Sequence, residues 1–144
     1  LRAGLASLLE AAAEVRVTDP TTGGVATASV DAHDGTVCVR VDAGDPLDEV
    51  VLRSYCTGAA HQGLGWVATE GLAVDEAGVV QDLTVRSFGV LRAVDTPAIE
   101  VEVTDGTGPP VRVGDAVFAA VAGAAWVARG CPPVLPAGGR TRPA

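Results

Sequence analysis

Residues 58–70 read Gly-Ala-Ala-His-Gln-Gly-Leu-Gly-Trp-Val-Ala-Thr-Glu, and this small, largely apolar run decides how the chain folds. A glycine inside a helix costs up to about 1 kcal/mol relative to alanine, so several in one run need a packing or ligand reason. The small side chains expose the backbone and allow another element or a ligand to approach closely. Gln62 lies among them as an amide that can both donate and accept hydrogen bonds.

Several shorter motifs stand in a fixed order around this run. Upstream come a hairpin pattern and an Ala-His-Asp stretch. Downstream come an acidic-glycine turn, an aromatic residue, an Asp-Thr-Pro triplet and an alternating strand pattern. In chain order, the motifs occupy positions 14–17, 19–23, 30–34, 58–70, 75–78, 88, 95–97 and 99–103. The series resembles the C-terminal part of the large, molybdopterin-binding subunit of the molybdenum hydroxylases, the family of xanthine dehydrogenase and aldehyde oxidase.

Length and composition predict one domain with a closely packed interior. The chain has 144 residues, of which 48% are hydrophobic but only 3% aromatic, and methionine is absent. A core of Ala, Val and Leu is therefore expected, and residues 1–132 are long enough to form it as a single domain. Residues 133–144 are rich in Pro, Gly and Arg and are predicted to form a flexible tail.

The formal net charge of −8 at pH 7 argues against some classes of partner. Nucleic acids and anionic membranes bind basic surfaces, so neither is expected as a partner. No run of about 18 uninterrupted apolar residues occurs, so no transmembrane helix is predicted. Cys38, Cys56 and Cys131 lie far apart without metal-ligand spacing, so no metal or iron–sulfur site is predicted. We expect them to be buried thiols in the reducing cytoplasm.

The hydrophobic pattern predicts an α+β fold, a small domain of hairpins and one mixed sheet packed by a long central helix and a C-terminal helix. Strands are expected at 15–17, 25–30, 36–41 and 99–103, with a short helix at 5–13 and a further hairpin at 75–78. The central helix is predicted over 46–69, with Asp45 as N-cap residue and Pro46 at its first position. The side expected to pack carries Val50, Val51, Ser54 and Gly58.

The resemblance implies that the glutamine of a Gln-Gly-x-Gly run contacts the molybdenum centre or its pterin. Gln62 and Gly63 therefore carry over as cofactor-binding residues. Two alternatives stay open for Gln62: it satisfies a backbone group at a helix crossing, or it is hydrated. Trp66 and Tyr55 are expected to be core or interface aromatics rather than substrate contacts.

The resemblance also implies a catalytic residue before the last helix, which is predicted over 116–128. The family carries a Lys-Gly-x-Gly-Glu-like motif there, whose glutamate acts as general base toward the hydroxyl group that attacks the substrate carbon. The matching residues 110–115 read Pro-Val-Arg-Val-Gly-Asp, so Asp115 carries over as the catalytic residue and Gly114 as a cofactor-binding residue. The lysine and first glycine are missing, and aspartate is one methylene shorter. The alternative is that Asp115 is the N-cap residue of the helix.

For function, the resemblance implies a small or split subunit that completes a molybdenum hydroxylase complex acting on a heterocycle or an aldehyde. The molybdopterin-molybdenum cofactor would be shared with a larger molybdopterin-binding chain, accompanied by iron–sulfur and FAD subunits. This chain alone would bind no cofactor and would have no activity of its own. The alternative is a non-catalytic structural or interaction module that keeps the fold without the active-site residues.

Overall fold

The computed structural model describes residues 14–31, 33–81 and 84–137, with Arg86 described by its backbone alone. These residues form a four-stranded mixed sheet in the order β1-β2-β3-β4, comprising Val15–Thr18, Val25–Val30, Val37–Asp42 and Ile99–Val103. Strands β1, β2 and β3 pair antiparallel, whereas β3 and β4 pair parallel. The predicted α+β class is confirmed. The helix predicted at 5–13 lies outside the described residues.

Helices α1 (Glu49–Ala68) and α3 (Gly114–Ala128) cover one face of the sheet. A single helical turn, α2 (Val85–Phe88), and a 3-10 turn (Ala93–Asp95) lie between α1 and β4. Helix α1 packs against α3 and β4, whereas α3 also packs against β1 and β2. Parallel strands need a long crossover connection, and α1 forms part of the one that joins β3 to β4. None of the described helices is both long enough and apolar enough to span a membrane.

The core lies between the sheet and the two helices, and it is built from small side chains. Alternate residues of β2 and β3 point into it, so that Ala26, Ala28, Val37, Val39 and Val41 are at most 2% exposed. The largest fully buried side chains are those of valines and one cysteine, namely Val37, Val41, Val67, Val117, Val121 and Cys56. The predicted core of small residues is confirmed, and it lets the helices pack close to the sheet.

Helix α1 begins at Glu49, later than the predicted start at 46, and Asp48 rather than Asp45 is its N-cap residue. The Asp48 carboxylate accepts a hydrogen bond of 3.0 Å from the Val51 N–H. The Asp45 N–H instead donates to the carbonyl oxygen of Gly108, at 3.1 Å. The loop before the helix is thus held by a distant segment, which delays the start of the helix.

The packed side of α1 also differs from the prediction. The four residues expected to pack are all exposed, namely Val50, Val51, Ser54 and Gly58. The residues that are buried instead are Cys56, Ala60, Gly63, Leu64, Gly65 and Val67. Arg53 lies beside this packed side, where its guanidinium donates to the Val101 carbonyl on β4 and pairs with Glu49 at 2.5 Å. The helix is therefore turned so that an uncharged set of residues faces outward.

Helix α3 begins at Gly114, and its N-cap position is occupied by Val113, which offers no side-chain cap. The prediction that Asp115 is the N-cap residue is wrong. Val113 is only 2% exposed, so its burial in the core sets where the helix starts. The preceding carbonyl, that of Arg112, accepts a hydrogen bond of 2.7 Å from the Thr22 hydroxyl. Asp115 lies in the first turn, where the helix dipole favours a negative charge by about 0.3–1 kcal/mol.

Two aspartates fix the hairpin turns that were predicted from the sequence. The Asp19 carboxylate accepts hydrogen bonds from the Thr21 N–H at 2.8 Å and the Thr22 hydroxyl at 2.9 Å. These bonds, led by the one from Thr21, lower the pKa of Asp19. In the second hairpin, Asp75 accepts from the Val79 N–H at 2.9 Å. Both turns are therefore confirmed at the positions that their turn residues indicated.

The beginning of the predicted tail contacts the body of the domain. Leu135 is partly buried against the core, and the Ala137 N–H donates to the Val67 carbonyl at 2.8 Å. The residues that follow Ala137 lie outside the described ranges. The flexible tail over 133–144 therefore stays a prediction.

The three cysteines differ in exposure. Cys56 is buried and Cys131 is half-buried, but Cys38 is exposed on the sheet face that the helices leave open. The prediction of three buried thiols is therefore wrong for Cys38. Alternation along β3 explains the difference, because Val37 and Val39 occupy the core side and turn Cys38 outward.

We expect Cys56 to be the least reactive thiol of the native chain. Burial raises the pKa of the Cys56 thiol to about 11, so at pH 8 only about one part in a thousand is thiolate. Maleimide labelling at pH 8, followed by peptide mass spectrometry, should modify Cys38 well before Cys56. In urea all three cysteines should react. Equal rates at Cys38 and Cys56 in the native chain would contradict the buried position.

Candidate functional site

Gln62 lies on the exposed side of α1. Its amide forms no side-chain hydrogen bond with any residue in the described ranges. The interpretation that Gln62 satisfies a backbone group at a helix crossing therefore finds no support in this structure. Two interpretations of Gln62 remain: its amide is hydrated, or it binds an external ligand. Both require an exposed side chain, as is observed.

The glycines near Gln62 have different surroundings. A Cβ atom built on Gly63 would lie 2.8 Å from the Phe118 carbonyl oxygen on α3. One built on Gly65 would lie 2.5 Å from the Glu70 carboxylate. One built on Gly58 would meet no atom within 4 Å. Packing inside the chain thus accounts for Gly63 and Gly65, whereas Gly58 leaves an open notch one helical turn before Gln62.

This arrangement separates the two cofactor-binding residues predicted on α1. Gly63 is buried against α3, and its observed role is to let the two helices approach. Its contact with a cofactor stays a prediction. Gln62 is directed away from that helix contact and is free to reach an external group, since it is exposed. The neighbouring His61 already has a hydrogen-bond partner inside the chain, because its Nε2 lies 3.0 Å from the Leu91 carbonyl oxygen.

An aromatic pair connects the surroundings of Gln62 with those of Asp115. Trp66 follows Gln62 by one helical turn and is 50% exposed. Its ring centroid lies 5.7 Å from that of Phe118, with the planes inclined by 38°. Phe118 in turn follows Asp115 by three residues, which places both on one side of α3. Gln62 and Asp115 therefore belong to one surface made by two helices, with the aromatic pair joining them.

Asp115 and Gly114 lie at the first turn of α3. The Asp115 side chain is exposed and makes no hydrogen bond with any described residue. Gly114 is half-buried, and a Cβ built on it would meet no atom within 4 Å, so nothing in the described part requires a glycine there. Like Gly58, Gly114 leaves space beside a polar residue. The catalytic role of Asp115 and the cofactor contact of Gly114 stay predictions.

The exposed surface of the two helices is almost free of charge. The exposed residues of α1 between positions 50 and 66 are Val50, Val51, Ser54, Tyr55, Thr57, Gly58, Gln62 and Trp66. On α3 no residue from Ala116 to Ala128 is charged. We call these exposed residues of α1, together with the exposed Asp115 and Ala119 of α3, the outer helix face. The small residues from Gly58 to Gly65 predict an apolar face that a partner chain covers, and within that run only Gly58 and Gln62 are exposed.

The outer helix face offers a limited chemistry. Gln62 can donate and accept hydrogen bonds, Trp66 presents part of an indole, and Asp115 can accept a proton. The described residues contain no group of three or more His, Cys, Asp or Glu side chains that could hold a metal ion.

Comparison with known proteins identifies both a family and a fold. A family model described as the molybdopterin cofactor-binding domain matches residues 8–97. The structure is similar to quinoline 2-oxidoreductase of Pseudomonas putida 86, with a TM-score of 0.58 and 16% identity, over 74% of this chain and 15% of that chain. It is also similar to the reconstituted CO dehydrogenase of Oligotropha carboxidovorans, with a TM-score of 0.58, 17% identity and the same two coverages. A search of curated proteins gave no match.

Proposed function

We propose a function from one premise: this chain belongs to the family of molybdopterin cofactor-binding domains. It spans only about 15% of the length of the solved chains to which its fold is similar. In our proposal the domain forms one side of a molybdopterin site in an oxidoreductase of the molybdenum hydroxylase type. The remaining sides are supplied by further protein, in the form of a larger molybdopterin-binding chain.

One observation carries this proposal, namely the exposed amide of Gln62 beside the open notch at Gly58. A glycine in the middle of a helix costs about 0.5–1 kcal/mol relative to alanine, and no packing in the described part offsets that cost at Gly58. The notch gives an external group access to the helix surface. The neutral amide can donate to an oxygen or sulfur atom of that group without adding charge. Both features suit the edge of a cofactor.

The residues fit part of the cofactor and not all of it. Molybdopterin carries a phosphate, and phosphates are usually held by basic side chains or by backbone N–H groups at helix N-termini. Arg53 is the only lysine or arginine of α1, and its guanidinium is already bonded to the Val101 carbonyl and the Glu49 carboxylate. Gln62 would therefore hold one edge of the group, and the phosphate would be bound by the partner. When bound, the molybdenum centre supplies the redox chemistry.

Asp115 is the residue of this chain that we propose for proton transfer. It would accept the proton of the hydroxyl group that attacks the substrate carbon, as a general base does. Its carboxylate is exposed and is not used as a helix cap, so its structural role in the described part is limited to a favourable interaction with the dipole of α3. Electrons from the substrate would leave through iron–sulfur and FAD subunits. The substrate would be a heterocycle or an aldehyde.

The test of this proposal is Gln62→Ala in the assembled complex, measured by molybdenum content and pterin fluorescence. Loss of a hydrogen bond to a charged group costs about 1.5–3 kcal/mol, so cofactor affinity should fall by about tenfold to a hundredfold. The exposed Thr18→Ala on the sheet is the control and should keep full occupancy. Light scattering should show that both variants still assemble. Unchanged molybdenum content in Gln62→Ala would refute the cofactor contact.

A second function, that of a non-catalytic interaction module, is favoured by the segment before Asp115. With Gly114 and Asp115 at the last two positions of the motif, its lysine and first glycine are replaced by Val111 and Arg112, and the Val111 N–H donates to the Ala43 carbonyl at 2.9 Å. This segment therefore serves the fold. Metal analysis of the native complex separates the two functions, because a module without catalysis needs no molybdenum.

A further inference from the structure

The two layers of this domain present opposite kinds of surface. The open face of the sheet is polar and charged, with Arg40 and Glu102 paired at 2.9 Å and with Arg16, Asp42 and Glu100 exposed. The outer helix face has no charged residue at its exposed α1 positions from Val50 to Trp66, in a chain whose net charge is −8. A surface helix normally carries its charges on the side away from the core. Here the side away from the core carries no charge from Val50 to Trp66 of α1, and Asp115 is the only charged residue of α3.

Large apolar side chains on the outer helix face are strongly exposed. Val50 is 78% exposed, Tyr55 is 74% exposed and Trp66 is 50% exposed, and all belong to α1. Val51 is 49% exposed and lies one helical turn from Tyr55, so these two side chains form one exposed apolar patch of the kind that marks an interaction site, with Trp66 further along the same helix. Tyrosine and tryptophan are also the residues most enriched at the centres of protein interfaces. These features occur together on α1.

We propose that the outer helix face is the docking surface for the rest of a molybdopterin-binding polypeptide, which buries Val51, Tyr55 and Trp66 around the cofactor edge at Gln62. This inference rests on the proposed function and adds the surface through which the site is completed. The sheet face remains in water. The partner is expected to present an apolar, uncharged surface to Tyr55 and basic or backbone donors to the cofactor phosphate.

The need for phosphate donors argues for this partner over a second copy of the chain. A two-fold dimer places the same patch of both copies in contact. Two outer helix faces would then bring together two copies of α1, in each of which the single lysine or arginine, Arg53, is already paired with Glu49. Such a dimer could bury Tyr55 and Trp66, but it could not balance the charge of the cofactor. A polypeptide several times longer can supply those donors, and the similar solved chains are of that kind.

Cysteine accessibility tests whether this face is covered in the native assembly. Ser54 is exposed on α1, so Ser54→Cys places a reporter thiol on the outer helix face, and Cys38 on the sheet face is the internal control. In the isolated chain, maleimide should label both positions. In the intact protein purified from its own cells, Cys38 should still react, whereas labelling at position 54 should be lost. Labelling at both positions in the intact protein would overturn the proposal.

A charge substitution then identifies what covers the face. Tyr55→Lys should abolish binding of a larger chain that mass spectrometry identifies as molybdopterin-binding, while Thr18→Lys on the sheet should keep it. Both positions are exposed, so neither change should lower the melting temperature of the isolated chain. Pterin fluorescence separates this inference from the proposed function, because a bound larger chain without pterin supports docking and refutes the cofactor role. A homodimer that Tyr55→Lys dissociates would overturn the choice of partner.

Discussion

Replacing Gly63 with alanine should destabilise the domain by about 1–2 kcal/mol, although alanine is the better helix former. The added methyl group would lie 2.8 Å from the Phe118 carbonyl oxygen and 3.2 Å from the Ala122 nitrogen, and both are backbone atoms of α3. Backbone atoms inside a helix cannot relieve a clash by changing rotamer as a side chain can, so α1 and α3 would have to move apart. Urea unfolding at fixed pH measures this loss.

Two other glycines of the same helix provide matched controls. Gly58→Ala should raise the free energy of unfolding by about 0.5–1 kcal/mol, because the position is open and alanine improves helix propensity. Gly65→Ala should be close to neutral, since the atom in its way belongs to the flexible Glu70 side chain. If Gly63→Ala were as stable as Gly58→Ala, the close approach of α1 and α3 would be refuted.

The same variants separate packing from ligand binding. Gly58→Ala should stabilise the isolated domain. In the assembled complex the same variant should contain less cofactor, because the added methyl group fills the notch beside Gln62. Gly63→Ala should lower the stability of the isolated domain, and any loss of cofactor content in the complex should follow from that weakened fold. A glycine whose replacement stabilises the chain but harms function is one that is kept for a ligand.

The elements that could be predicted from the sequence are those with local chemical signals. The turns at Asp19 and Asp75 were found because an aspartate and a following glycine favour a turn regardless of the surroundings. The starts of the helices could not be placed, because both depend on distant contacts. The Asp45 N–H donates to the Gly108 carbonyl, and Val113 is buried in the core. In both cases tertiary packing overrode a good local capping residue.

The packed side of α1 was mispredicted for a related physical reason. Its apolar residues are spread around the helix, so periodicity alone does not show which side is buried. The packed side carries Gly63, which lets α3 approach, and Arg53 beside it donates to the Val101 carbonyl. Neither contact is visible in the sequence. The outcome is that Val50 and Val51 face outward with Gln62, on the surface that we assign to a partner.

Replacing Asp115 with asparagine should lower the turnover of the assembled enzyme by about 10²–10⁴-fold while leaving the fold intact. Asparagine keeps the shape of the side chain but cannot accept the proton. Because Val113 occupies the N-cap position, the stability loss should stay within the 0.3–1 kcal/mol or so of a helix-dipole interaction. Turnover and thermal unfolding of the same preparation give both values. Asp105→Asn removes the same charge from an exposed loop and should retain full turnover.

Asp115→Glu then tests whether reach limits the reaction. Glutamate restores the length of the family's general base, and an error of about 1 Å in placing a catalytic group can lower a rate by about a hundredfold. Higher turnover in this variant, together with loss in Asp115→Asn, would show that the carboxylate acts on the substrate side of the outer helix face. Full turnover in Asp115→Asn would refute the general-base role, since an amide cannot perform it. In that case Asp115 would serve only the dipole of α3, and proton transfer would belong to the partner chain.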